Sequence, residues 1–291
     1  MLGPAVVLLV VHGVGADAGI SASSSRRLQQ DLIPCSQVAF SPRVAISTSV
    51  AAPRFVTGAD VDADGDVDIV SAAEFGGVSW HENDGTATFV TRTIDPFADG
   101  AWAVDVADLD NDGDLDVVAA LSDLNQCAWY SNNGDNTFTK IIVAGGFQVV
   151  SVAVADLDGD SDNDIAAALW GSSEFVWYES NGHSVPTFTE RLIDGDAFRA
   201  RAVVVADVDG DANLDVVAAS GGDDTIAYYK NIPGTPATFD KRVITSTADG
   251  PRGVAAGDMD GDNDVDVLSA SIEDNTVAWY ERRCAELHDA R

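Results

Sequence analysis

Basic side chains are scarce: 16 Lys and Arg stand against 48 Asp and Glu, a net charge of −32 over 291 residues. That balance excludes nucleic acid as a natural partner, because phosphate recognition needs concentrated positive charge. The four histidines are scattered, and no Ser/His/Asp order, HExxH motif or phosphate-binding glycine loop is present. The apolar run Ala5–Val14 is too short to span a bilayer and no other stretch is long enough, which argues against membrane insertion. The tail Glu286-Leu-His-Asp-Ala-Arg291 is polar, which argues against a lipid anchor.

What the chain has in abundance is aspartate, and half of its acids fall in five short stretches. The first runs Asp60, Asp62, Asp64, Asp66, Asp68, with Gly65 at its sixth position. Asp108, Asp110, Asp112, Asp114 and Asp116 repeat it, as do Asp156, Asp158, Asp160, Asp162 and Asp164. The fourth copy carries Asp207, Asp209, Asp211, Asn213 and Asp215, the fifth Asp258, Asp260, Asp262, Asp264 and Asp266. So many carboxylates in nine residues repel one another unless a cation sits among them. Hard oxygen ligands alternating around a glycine-permitted turn suit Ca²⁺ better than Mg²⁺, which demands stricter geometry and keeps its waters. Solvated acidic loops are the alternative for any single copy, and five copies weaken it. An EF-hand is excluded by its missing twelfth ligand: Ser71, Ala119, Ala167, Ala218 and Ser269 stand where a Glu is required.

The copies start 48, 48, 51 and 51 residues apart, the signature of a repeat architecture. Val/Ala-rich runs on either side of each loop predict short buried strands, so the loop joins two strands. A third strand recurs around Trp80, Trp129, Trp177, Tyr228 and Trp279, and a fourth opens on Phe89, Phe138, Phe188 and Phe239. An aromatic at one fixed position in every unit points to packing between neighbouring sheets. Four-stranded units repeated around a ring describe a β-propeller. The loop pattern D-x-D-x-D-G-D-x-D-[IVL]-[VA], with the Val/Ala strand before it, resembles the FG-GAP/VCBS repeats of integrin α-chain heads over about residues 38–282. That resemblance implies a loop between the first two strands of each blade that binds Ca²⁺ through side chains 1, 3, 5 and 9 and the carbonyl of 7. It makes about five structural calcium ions the expected cofactor. The glycine moves from position 6 to position 4 in the last three loops, which predicts a slightly different turn there.

The fold expected is therefore all-β: a five-bladed β-propeller of four-stranded blades, with the N-terminal strand completing the last blade. The chain ends after a third strand, and Val38–Ile46 match the fourth-strand segments, which balances the strand counts. Aligned on the repeat, Cys35 and Cys284 fall on adjacent positions of one turn, so a disulfide between them would fasten the ring. Cys127 is left over as a buried thiol. Domain limits follow: a signal peptide over residues 1–22, a linker over 23–37, the propeller over 38–283 and a tail over 284–291. The signal rests on the apolar core Ala5–Val14 and the Ala16-Asp17-Ala18 cleavage pattern, although no Lys or Arg precedes it. A secreted, extracellular monomer is the expectation.

Ligands belong on the rim opposite the acidic loops, where the repeats differ from one another. Six residues before each loop stand Arg54, Trp102, Val150, Arg201 and Arg252. The three arginines could grip an anionic glycan or an acidic protein side chain; alternatively, each arginine pairs with an acid of a neighbouring blade, and Trp102 stands with them as a rim residue. Phe75, Phe147, Trp170 and Phe198 sit in the adjoining connections. The function expected is a non-catalytic binding or adhesion module for a glycan or protein. The runner-up is a polysaccharide-degrading hydrolase or lyase around Asp105, a lone acid at its repeat position, with Glu74, Asp123 and Glu174 as companions.

Overall fold

A computed structural model of the chain describes residues 9–11, 43, 45–86 and 88–283. Among them no helix occurs, and the strands build five sheets arranged as a five-bladed β-propeller. Blade one comprises β2 (Pro53–Ala59), β3 (Asp68–Ala73), β4 (Gly77–Asn83) and β5 (Phe89–Asp95). Blade two follows with β6 (Ala101–Ala107), β7 (Asp116–Leu121), β8 (Gln126–Asn132) and β9 (Phe138–Gly145). Blade three is β10 (Val149–Ala155), β11 (Asp164–Leu169), β12 (Glu174–Ser180) and β13 (Phe188–Asp194). Blade four is β14 (Ala200–Ala206), β15 (Asp215–Ser220), β16 (Thr225–Ile232) and β17 (Thr238–Thr245). Blade five has β18 (Pro251–Gly257), β19 (Asp266–Ser271) and β20 (Thr276–Tyr280), three strands among the described residues. A short β1 (Leu9–Val11) pairs in parallel with β2, Val10 opposite Thr57.

Each blade is an antiparallel meander, and the second strand is buried on both faces, which is why it reads as an unbroken Val/Ala/Ile/Leu run. Small residues there let neighbouring blades approach. The repeated tryptophans fill the junctions as expected. Trp80 meets Phe138 of the next blade edge-on, 6.4 Å between ring centres, and Trp129–Phe188 and Trp177–Phe239 repeat the contact at 6.4 and 6.2 Å. Polar struts accompany them: Tyr130 donates to Asp95 of blade one at 2.9 Å, and Tyr229 to Asp194 of blade three at 2.7 Å. Lys140 and Lys241 pair with the same two carboxylates and hold both below the ordinary aspartate range against the opposing effect of burial.

The strand expected over residues 38–46 lies outside the described residues except at 43, 45 and 46, and so do Cys35 and Cys284. Cys127 is a buried free thiol, as the sequence led us to expect.

Candidate metal centres and the opposite rim

In every blade the acidic loop joins the first two strands, and its backbone makes the same turn five times. Positions 4 and 6 both take positive φ: Ala63 and Gly65, Asn111 and Gly113, Gly159 and Ser161, Gly210 and Ala212, Gly261 and Asn263. Moving the glycine from one position to the other therefore leaves the turn intact, contrary to the expectation of a different turn in the last three loops. Glycine occupies one left-handed position without strain, and a small residue tolerates the other. What changes is one added hydrogen bond, from Gly159, Gly210 or Gly261 to the carboxylate at position 1.

The position-1 carboxylate is wrapped by N–H groups from positions 5 and 6, as Asp60 is by Asp64 and Gly65, both at 3.0 Å. The position-9 carboxylate is buried and staples the loop to the third strand. Asp116 accepts from Leu109 N–H at 3.0 Å and from Asn132 N–H at 2.8 Å; Asp68, Asp164, Asp215 and Asp266 do the same in their blades. Burial pushes Asp116 and Asp164 up to about 7 even against these hydrogen bonds. Asp62, Asp110 and Asp158 are raised by burial and then by neighbouring carboxylates.

Positions 1, 3 and 9 converge in loops one to four: Asp60, Asp62 and Asp68; Asp108, Asp110 and Asp116; Asp156, Asp158 and Asp164; Asp207, Asp209 and Asp215. Their facing oxygens lie within 4.8 Å of one another, and in loop five the group is Asp258, Asp260 and Asp262. These groups could hold metal ions. One oxygen each of Asp62, Asp110 and Asp209 is buried with no hydrogen-bond partner, an arrangement that costs free energy unless a cation meets it. The position-7 side chains turn elsewhere. Those of Asp66, Asp114 and Asp162 lie against Gly85, Gly134 and Gly182, where a Cβ would clash with each carboxylate, and Asp264 pairs with Arg282.

Loop four departs from the others in a way that sequence reasoning missed. Lys230 forms ion pairs with both Asp209 and Asp211, placing an ammonium group on positions 3 and 5. Its repeat equivalents are Glu82, Ser131, Glu179 and Glu281. The signal was a reversed charge at one repeat position.

Asp105 is buried, and its two oxygens accept N–H groups from Val106 at 2.9 Å and from Val154 of the next blade at 2.8 Å. This lone acid thus ties two blades together. Glu74 pairs with Arg54, Asp123 is exposed in the β7–β8 turn, and Glu174 opens β12. On the rim reached by the start of each inner strand, Arg54 and Arg201 both face Trp102, while Trp170 faces Arg201. Phe75, Phe147 and Phe198 are exposed.

The FG-GAP-like repeat profile matches residues 60–119, 109–167, 158–218 and 207–269, each match running from one acidic loop to the next. The chain belongs to the FG-GAP-like repeat family. No curated protein matches it. Among solved structures it is similar to a lectin from Agrocybe aegerita, described as recognising non-reducing terminal N-acetylglucosamine, at 22% identity and a TM-score of 0.51. That match covers 74% of this chain and 60% of the lectin. A second similar structure is BBS1N in complex with ARL6DN, at 14% identity and a TM-score of 0.53, covering 80% of this chain and 63% of that one. The chain thus spans about 60% of the length of the structures it resembles, and at such identities the likeness is one of fold. Among the described residues no helix is long and apolar enough to cross a membrane.

Proposed function

We propose that this FG-GAP-like propeller is a secreted, calcium-stabilised binding module that takes a glycan or protein ligand on the rim opposite its acidic loops. The observation that carries the reading is the repeated convergence of three carboxylates with unpartnered buried oxygens, beside a rigid scaffold whose other rim differs from blade to blade. An all-oxygen donor set with no nitrogen or sulfur favours Ca²⁺ over transition metals. The metal would pin the connection between inner and second strands and do no chemistry. Aspartates 1, 3 and 9 would hold it, with position 5 completing the set. The lectin among the structural relatives supports a glycan as the ligand class. Cleavage of a signal near residue 22 would also remove β1 from the inner edge of β2. An array of glycans and extracellular proteins, probed in calcium with the secreted form, is the direct test. Binding that disappears in EGTA is expected, and silence across both classes would overturn the binding reading.

Loop four is the exception within the metal set, because Lys230 already neutralises two of its acids. A bound divalent ion would have to displace that ammonium. Calcium counting on the purified protein is expected to give about four tightly held ions. Lys230→Ala is expected to add a fifth. A count of five in both proteins would show that the lysine yields without cost.

A further inference from the structure

Every inner strand opens with a bulge. Residues 54, 102, 150, 201 and 252 have no partner across the ladder, whereas the residues on either side of each do. A bulge sharpens the local twist and re-aims the unpaired side chain. At this position the chain carries Arg54, Trp102, Arg201 and Arg252, and four blades thereby send a large polar or aromatic side chain to one mouth of the ring. The Arg54 guanidinium stands 4.2 Å from the centre of the Trp102 ring. That of Arg201 stands 5.9 Å from Trp102 and 5.4 Å from Trp170.

Arginines act on one another at this mouth in a chain that is otherwise strongly acidic. Arg201 forms no ion pair among the described residues; burial, then Arg252, Arg199 and Arg54, lower its affinity for the proton to about 10. Glu74 is the acid paired into the cluster, and it serves Arg54 alone. Three donors are buried without an acceptor: Arg54 Nε, Trp102 Nε1 and Trp170 Nε1. Native structures rarely tolerate such groups unless a ligand or water meets them. Gly221 keeps the space open, since a Cβ there would lie 2.9 Å from the Pro251 carbonyl oxygen and 3.2 Å from Arg201 Cγ. Arginines gathered at one mouth of a protein of net charge −32 favour an acceptor-only group there.

We infer that this mouth binds the carboxylate of an acidic sugar, a uronate-type residue of a glycan. The inference rests on the glycan reading of the proposed function. A guanidinium fork matches a carboxylate in two parallel hydrogen bonds. A sugar acid also sets ring and hydroxyl oxygens within a few ångströms of its carboxylate, where the exposed Arg252 beside Arg201 can donate. An Asp or Glu side chain of a protein carries its carboxylate alone at the end of an apolar stem, with no hydroxyls around it.

The test is titration calorimetry of the calcium-loaded full chain against an oligogalacturonate, its carboxyl-reduced neutral counterpart and a Glu-rich peptide. The uronide alone is expected to bind, more weakly as salt is raised. Arg201→Gln is expected to weaken it roughly ten- to hundredfold, the range for one hydrogen bond to a charged group, while the variant still melts cooperatively. Arg252→Gln, at the exposed bulge position of the next blade, is expected to act in the same direction. Equal binding of the reduced oligomer would overturn the carboxylate assignment and leave the glycan reading standing. Binding of the peptide alone would overturn the sugar assignment. Binding of the uronide at unchanged affinity by both variants would overturn the site. If nothing binds and the protein array is silent too, the inference and the proposed function fail together.

Discussion

In EGTA the protein is expected to melt tens of degrees below its calcium-loaded form. A site saturated a hundredfold above its Kd contributes about 2.7 kcal/mol to the folded state, so four such sites supply about 11 kcal/mol. A domain is typically stable by only about 5–15 kcal/mol, and each kcal/mol is worth about 2–4 °C at this size. The metal-free chain should therefore be marginal. Its pH dependence should also carry a sign opposite to that of the loaded form. With no metal, burial holds Asp116 and Asp164 near 7, whereas the unfolded chain titrates aspartate at about 3.9. Between those values the folded state binds protons that the unfolded state has released. Stability in EGTA accordingly falls as pH rises from about 4 to about 7 and levels off above it. With calcium present, protons compete with the metal and stability rises over the same interval. Melts at a series of pH values with and without EGTA read both effects. An unchanged midpoint on a sample free of calcium would leave the loops as solvated turns.

A non-reducing peptide map is expected to join Cys35 to Cys284 and to leave Cys127 a free thiol. Blade five is the open one among the described residues. Trp279 is 49% exposed and Val277 81%, whereas Trp80, Trp129 and Trp177 at the equivalent position are buried. The outer edge of β20 is unpaired among the described residues, and an exposed edge invites aggregation. A strand from residues 38–46 would cover that edge and bring Phe40 to the junction with Tyr228, by the rule that pairs Trp80 with Phe138. The bridge closes a loop of about 250 residues, so Cys284→Ser should lose about 4–5 kcal/mol in the chain-entropy account, or roughly 10–20 °C. Cys127→Ser is the control, because burial pushes that thiol up to about 12 and keeps it out of exchange. Free thiols at positions 35 and 284 in the secreted protein would sink the closure.

Much of the fold was legible because its determinants are local. A carboxylate on every second residue of each loop, a Val/Ala run beside it and an aromatic at one fixed position of the third strand each reflect short-range geometry repeated five times. Repetition also exposed the odd members, Arg54, Arg201 and Arg252. Their partners were not legible. Of the three, Arg54 paired with an acid, but with Glu74 of its own blade rather than of a neighbouring one, and Arg201 found tryptophans from two other blades. Asp105 read as a lone channel acid, and it proved to be a bracket for the Val154 N–H, because what it meets depends on how the next blade packs. Lys230 gave a weak signal, one reversed charge among equivalents, and only its fold-back onto Asp209 and Asp211 gave it meaning.

The sequence by itself determined the repeat, the strands, the acidic loops and their number, since these follow from periodicity along one chain. Only the tertiary structure decided that residues about 50 to 150 positions apart meet at one mouth with unanswered donors. The packing of successive blades brings equivalent positions to one mouth, and no pattern within a single repeat encodes the distance between them.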